Sequence, residues 1–218
     1  MKHTVQKILA GLLAGVLSLS LLTACTSEKP DSPSDGRSQT NPAGQATPGT
    51  SLPPDADFET GTSVKTVGDF TTQDVNGTAI TQDIFKEHTL TMVNVFATWC
   101  SPCVAEMPDL EKLHQQVKDM DVGVIGVVLD VLNEKGEVVG EDLERAQLLV
   151  EKTGVTYPVL LPDSTYFNGR LIGIEALPET FFVDQDGNIV GQHYSGSGGL
   201  EDWLEVVEAE LAALKEGA

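Results

Sequence analysis

Cys100 and Cys103, with two residues between them, lie where one hydrophobic pattern gives way to another. Before them, residues 90–96 form an unbroken apolar, β-rich run suited to a strand buried on both faces. After them, Met107, Leu110, Leu113 and Val117 recur at helical spacing from Pro102 to about Met120, with Pro108 inside. Trp99-Cys100-Ser101-Pro102-Cys103 is therefore a strand-to-helix junction. A chain built around it needs a sheet to supply the strand and a helix packed against that sheet.

A C-x-x-C at a helix N-terminus has a direct chemical use. The unpaired N–H groups and the positive end of the helix dipole stabilise a thiolate on the first cysteine. Two-residue spacing brings the second cysteine back one turn later. Pro102 falls in the first turn, where its missing N–H costs nothing. A haem attachment site would need histidine next, and Val104 stands there. Zinc would need two further ligands, which His88, His114 and His193 do not provide at any ligand spacing. A redox-active dithiol is the favoured reading, with a structural disulfide and a metal site the alternatives.

The rest of the chain alternates strands and helices from Phe58 onward. Residues 68–81 predict a hairpin around Asn76-Gly77, and residues 122–129 a second buried strand. Residues 141–152 predict a helix stopped by Gly154, followed by a strand over 157–161. A second hairpin is expected around Asp186-Gly187, joining residues 180–184 to 188–194. Leu200, Trp203, Leu204, Val207, Leu211 and Leu214 mark a closing amphipathic helix. The fold class is α/β: a central mixed sheet with helices on both faces, an N-terminal β-hairpin and a small insertion over 130–140.

The N-terminal quarter has a different character. Lys2 and Lys7 precede an uncharged run from Ile8 to Leu22, too short to span a bilayer but suited to a signal-peptide core. The run closes on Leu22-Thr23-Ala24-Cys25, which resembles the lipobox of bacterial lipoproteins. Residues 1–24 are thus expected to be a lipoprotein signal peptide and Cys25 the lipidation site, anchoring the chain on the extracytoplasmic face of the cell membrane. A diacylglycerol carries two acyl chains, enough for stable anchoring. From residue 25 to 57 the expectation is a lipidated N-terminus and a disordered tether, rich in Ser, Thr, Pro and Gly, with Leu52 its only large aliphatic residue. Residues 58–218 form the folded domain. The formal net charge of −20 argues against a nucleic-acid partner, because phosphate neutralisation needs clustered Lys and Arg.

The domain resembles the thioredoxin superfamily, specifically the membrane-anchored TlpA/ResA-like thiol-disulfide oxidoreductases. The resemblance rests on the stretch from Asn94 to Pro108, on Leu177-Pro178-Glu179-Thr180, and on the order of elements. It implies that Cys100 is the attacking thiolate and Cys103 the resolving cysteine, the two forming the redox disulfide. It also implies that Pro178 is a cis-proline facing that disulfide, with Leu177 offering backbone to a bound substrate strand. Trp99 is expected to shape and cover the dithiol. Glu106, one helical turn beyond Cys103, is the expected proton acceptor. Thioredoxins themselves use a buried aspartate at the position that is Asn94 here. His114 and His193 read as packing or surface residues.

The resemblance further implies reduction of disulfides in envelope proteins, in cytochrome c maturation or in reductive repair and peroxide defence. A membrane thiol-disulfide electron donor is expected as partner, with no metal, no cofactor beyond the redox disulfide, and a monomeric state. The competing functional readings are a redox-inactive binding lipoprotein and a peroxiredoxin-like peroxidase. The second lacks the usual threonine three residues before the attacking cysteine, where Ala97 stands.

Overall fold

The computed structural model describes residues 60–217. The expected signal peptide, Cys25 and the expected tether lie outside these residues. Within them the sheet has five strands: β3 (Leu90–Phe96), β4 (Val122–Val128), β5 (Val159–Leu160), β6 (Glu179–Asp184) and β7 (Ile189–Ser195), after a separate hairpin of β1 (Thr71–Gln73) and β2 (Ala79–Thr81). Their order across the sheet is β5-β4-β3-β6-β7. Strands β3, β4 and β5 run parallel, while β6 and β7 are antiparallel additions on the other side. Every residue of β3 and β4 is buried, as expected of central strands covered on both faces.

Alternation along these strands divides the interior into two layers. Leu90, Met92 and Phe96 with Val122, Val124 and Val128 face one side, where they meet α1 (Ser101–Val117), α2 (Gly140–Thr153) and α3 (Leu200–Gly217). Val93, Val95, Ile125 and Val127 face the other. That face is covered by the 3-10 helix Gln82–Glu87, through Phe85, and by residues 163–174, through Phe167 and Leu171. Helices thus lie on both faces, with all three α-helices on one of them.

The β1–β2 hairpin turns where Asn76-Gly77 predicts it. Asp74 accepts from the N–H groups of Asn76 and Thr78, and Gly77 takes φ +87°. Gly154 ends α2 in the left-handed region at φ +72°, its N–H donating to the Val150 carbonyl. The strand expected over 157–161 contracts to Val159–Leu160. Pro158 has no N–H to give a ladder, and the Leu161 N–H turns instead to the Gln73 carbonyl on the hairpin. The insertion turns at Asn133–Gly136, with Gly136 at φ +74°.

Candidate active site

Three loops at one end of the sheet make the site. The first follows β3, where Cys100 occupies the N-cap position of α1. Its N–H donates to the Ala97 carbonyl, and its own carbonyl accepts from Val104. The loop is pinned from β4. Asp130 accepts from the Thr98 N–H at 3.0 and 3.1 Å and from its hydroxyl at 2.6 Å. The insertion therefore begins with a residue that holds the cysteine loop in place.

Cys100 and Cys103 form a disulfide with Cα atoms 5.3 Å apart. Both sulfur-bearing residues are buried in the helix-side core, at 4% and 1% exposure. Trp99, by contrast, is 71% exposed. The core, rather than this indole, shields the dithiol, and Trp99 stands as an apolar plate in solvent beside it.

Glu106 lies one turn after Cys103 and is 3% exposed. Asn94 Nδ2 donates to its Oε1 at 2.9 Å. The Gly198 N–H and the Trp203 indole N–H donate to Oε2 at 3.1 and 3.3 Å. Burial pushes this carboxyl above its ordinary value, and the three donors act in the opposite direction. Asn94 thus donates to Glu106, and it also donates to the Thr180 hydroxyl at 3.1 Å.

The second loop carries Leu177 and Pro178, joined by a cis peptide bond. Leu177 is partly buried and packs against the cluster that contains both cysteines. Glu179, next to Pro178, is paired with Arg170 at 2.5 Å, and the guanidinium lies 4.2 Å from the centre of the Phe181 ring. Both charges are buried. The third loop, between β7 and α3, bonds to the other two: the Gly196 N–H reaches the Pro178 carbonyl at 2.9 Å and the Gly198 N–H reaches Glu106.

Cys100, Cys103, Glu106, Trp99, Leu177 and Pro178 are thus brought to one end of the sheet, while Cys25 lies outside the described residues. His114 packs edge-on against Tyr157 with centroids 5.9 Å apart, and His193 is exposed on β7. Gly198, Trp203 and Arg170 are site neighbours that the sequence did not single out as such, and Asn94 and Thr180, noted only within the motifs, join them as hydrogen-bond partners. Trp203 carried only the signal of an apolar helix stripe, and Gly198 that of a glycine-rich turn.

The arrangement suits exchange between thiols and disulfides. Cys100 sits at the positive end of the α1 dipole, Cys103 lies one turn on, and the Glu106 carboxyl is buried a further turn along the same helix.

Comparison with known proteins points the same way. The Redoxin family model matches residues 59–206. A thiol:disulfide interchange protein DsbE from Pasteurella multocida is 30% identical over 136 residues, which cover 62% of this chain and 66% of that protein. A thiol-disulfide oxidoreductase ResA from Halalkalibacterium halodurans is 28% identical over 120 residues, covering 54% and 62% respectively. The matched stretches thus span a little under two thirds of these relatives' own lengths. The crystal structure of a thioredoxin-family thiol:disulfide interchange protein from Chlorobium tepidum superposes with a TM-score of 0.54. It is 24% identical and covers 72% of this chain and 99% of its own. The fold is thioredoxin-like.

Proposed function

The chain belongs to the Redoxin family, and from that premise we propose that it is an extracytoplasmic thiol-disulfide oxidoreductase that reduces disulfides in envelope proteins. The observation that carries this reading is the Cys100–Cys103 disulfide at the N-terminus of α1 with Glu106 buried one turn beyond it. In the reduced protein, the Cys100 thiolate attacks one sulfur of a target disulfide. A mixed disulfide forms, and the other target sulfur leaves as a thiolate that takes a proton from water. Cys103 then gives its proton to Glu106 and attacks the Cys100 sulfur. The second target sulfur departs, and Cys100–Cys103 is left oxidised. Two electrons move from the dithiol to the target disulfide.

The next cycle needs two electrons from a dithiol donor, which for a lipid-anchored protein is a membrane thiol-disulfide transporter. The signal-peptide pattern over 1–24 and the lipobox cysteine Cys25 support attachment to the outer face of the cell membrane. Apocytochrome c and peroxide-defence enzymes are the target classes such a reductase serves. Exposed Trp99 and the Leu177-Pro178 backbone give a target strand an apolar plate and a polar edge beside the sulfurs.

Insulin reduction by the full chain, with dithiothreitol as electron source, tests the reading. Wild-type protein is expected to turn over. Glu106→Gln is expected to slow the resolving step about a hundredfold while leaving the first attack unchanged. The sign of the pH dependence follows from burial. The base is the ionised form, and burial raises the Glu106 pKa, so resolution fails on acidification at a pH above the ordinary glutamate range. Glu106→Gln should lack that acid limb. Absence of turnover in the wild type overturns the enzymatic reading; an unchanged pH profile in Glu106→Gln overturns the base assignment alone.

A further inference from the structure

The donors that hold Glu106 come from three different elements, and two of them converge on one oxygen. Oε2 accepts both from the Gly198 backbone in the β7–α3 loop and from the Trp203 indole in the first turn of α3. We propose that Trp203 and Gly198 form a two-donor cradle that positions Glu106 against the dithiol and ties it to the target-binding loop; the proposal rests on reading Glu106 as the proton acceptor.

Four observations build the cradle. Trp203 is 3% exposed, so its indole N–H has no access to bulk water. An indole nitrogen only donates, so an ionised oxygen is a better partner for it than a protonated one. Its ring is fixed by an edge-on contact with Tyr194, centroids 6.2 Å apart, and Tyr194 donates in turn to Glu210 at 2.6 Å. Finally, the loop lies so close to the indole that a side chain would crowd it. A Cβ on Gly198 would stand 3.0 Å from both Nε1 and Cε2 of Trp203. The glycine here serves close approach, since Gly198 is not among the glycines with positive φ.

The same loop reaches the target site. Two residues before Gly198, the Gly196 N–H donates to the Pro178 carbonyl. One short segment therefore touches the backbone expected to meet a target strand and the carboxylate expected to receive the Cys103 proton. Protonation of Glu106 weakens its bonds to the donors, because a carboxylate accepts more strongly than a carboxylic acid. Loop and proton are in this way linked.

Few other groups titrate here. The dithiol precedes Glu106 on α1. Tyr157, between α2 and β5, feels the Glu106 charge, and burial holds its phenol above the ordinary value. Tyr194 faces the indole, and its phenol is pushed up to about 12, by burial first and by Glu210 second.

Trp203→Phe keeps an aromatic ring in the core and removes only the donor. In the full chain, it is expected to move the acid limb of the resolving step upward by about one pH unit, because a lost bond to a charged acceptor favours the neutral acid. The Glu106 carboxyl titration, followed by ¹³C NMR in the oxidised protein, should move in the same direction. Gly198→Ala, which crowds the indole, should do likewise and covers the case in which Trp203→Phe does not fold. A wild-type midpoint in every folded variant of the pair overturns the cradle, as does failure of both variants to fold, since the two residues would then be structural. Glu106→Gln separates the two levels. If it keeps the acid limb, the base assignment has failed; if it loses the limb while Trp203→Phe leaves it in place, only the cradle has.

Discussion

Cys100→Ser is expected to lower turnover of a protein disulfide by about three orders of magnitude or more, since a serine hydroxyl is scarcely ionised at neutral pH and the thiolate is the nucleophile. Cys100 is the N-cap residue of α1, at the positive end of the helix dipole. Cys103→Ser should behave differently. Its first attack proceeds, and the reaction then halts at the mixed disulfide, because the group that would displace the target is gone. Mass spectrometry after mixing with oxidised substrate checks both outcomes: no adduct with Cys100→Ser, and a persistent adduct of protein plus target with Cys103→Ser. Equal adducts from the two variants would show that the cysteines share the nucleophilic role.

The largest effect on stability is expected at Arg170. The pair it makes with Glu179 is almost wholly buried, at 1% and 5% exposure, and the guanidinium also covers the Phe181 ring. Arg170→Met fills similar space but strands the Glu179 carboxylate in the core. Removing one partner of such a pair costs about 3–5 kcal/mol. For a domain of this size that is a fall in Tm of roughly 10 °C. The double variant Arg170→Met/Glu179→Gln should recover part of the loss, since no lone charge remains. Thermal unfolding by circular dichroism reads the difference. Because Glu179 adjoins Pro178, the single variant should also weaken exchange with protein disulfides more than with small ones. A Tm within a degree or two of wild type would show that water reaches the pair.

The central sheet was legible where a strand is covered on both faces. Leu90–Phe96 and the strand starting at Val122 announce themselves as unbroken apolar runs. Hairpin turns at Asn76-Gly77 and Asp186-Gly187 were legible for a different reason: Gly77 and Gly187 take a positive φ that favours glycine. Residues 163–174 gave no such signal. Tyr166, Phe167 and Asn168 all take positive φ there, in a turn that Asp163 stabilises by accepting from the N–H groups of Thr165 and Phe167. No local pattern separates that aspartate from a solvated one, and none marks Arg170 as buried.

The site divides along the same line. Cys100, Cys103 and Glu106 share one helix, so their spacing in sequence is their spacing in space. Trp203 lies 97 residues from Glu106 and meets it only through α3 packing on α1. As a core residue it looked like its neighbours Val207 and Leu211. Asn94 read only as an amide at the position of the thioredoxin aspartate, and the structure shows it as a donor to the Glu106 carboxyl.

The account turns on the Cys100–Cys103 bond being an exchanging disulfide and not a fixed staple. Equilibration of the full chain in thiol-disulfide buffers, with the two states separated by alkylation and mass, measures its reduction potential. An exchanging disulfide has a midpoint within the span of exchange-active dithiols, about −270 to −120 mV; a value below about −300 mV, where structural disulfides lie, would mark the bond as a fixed staple.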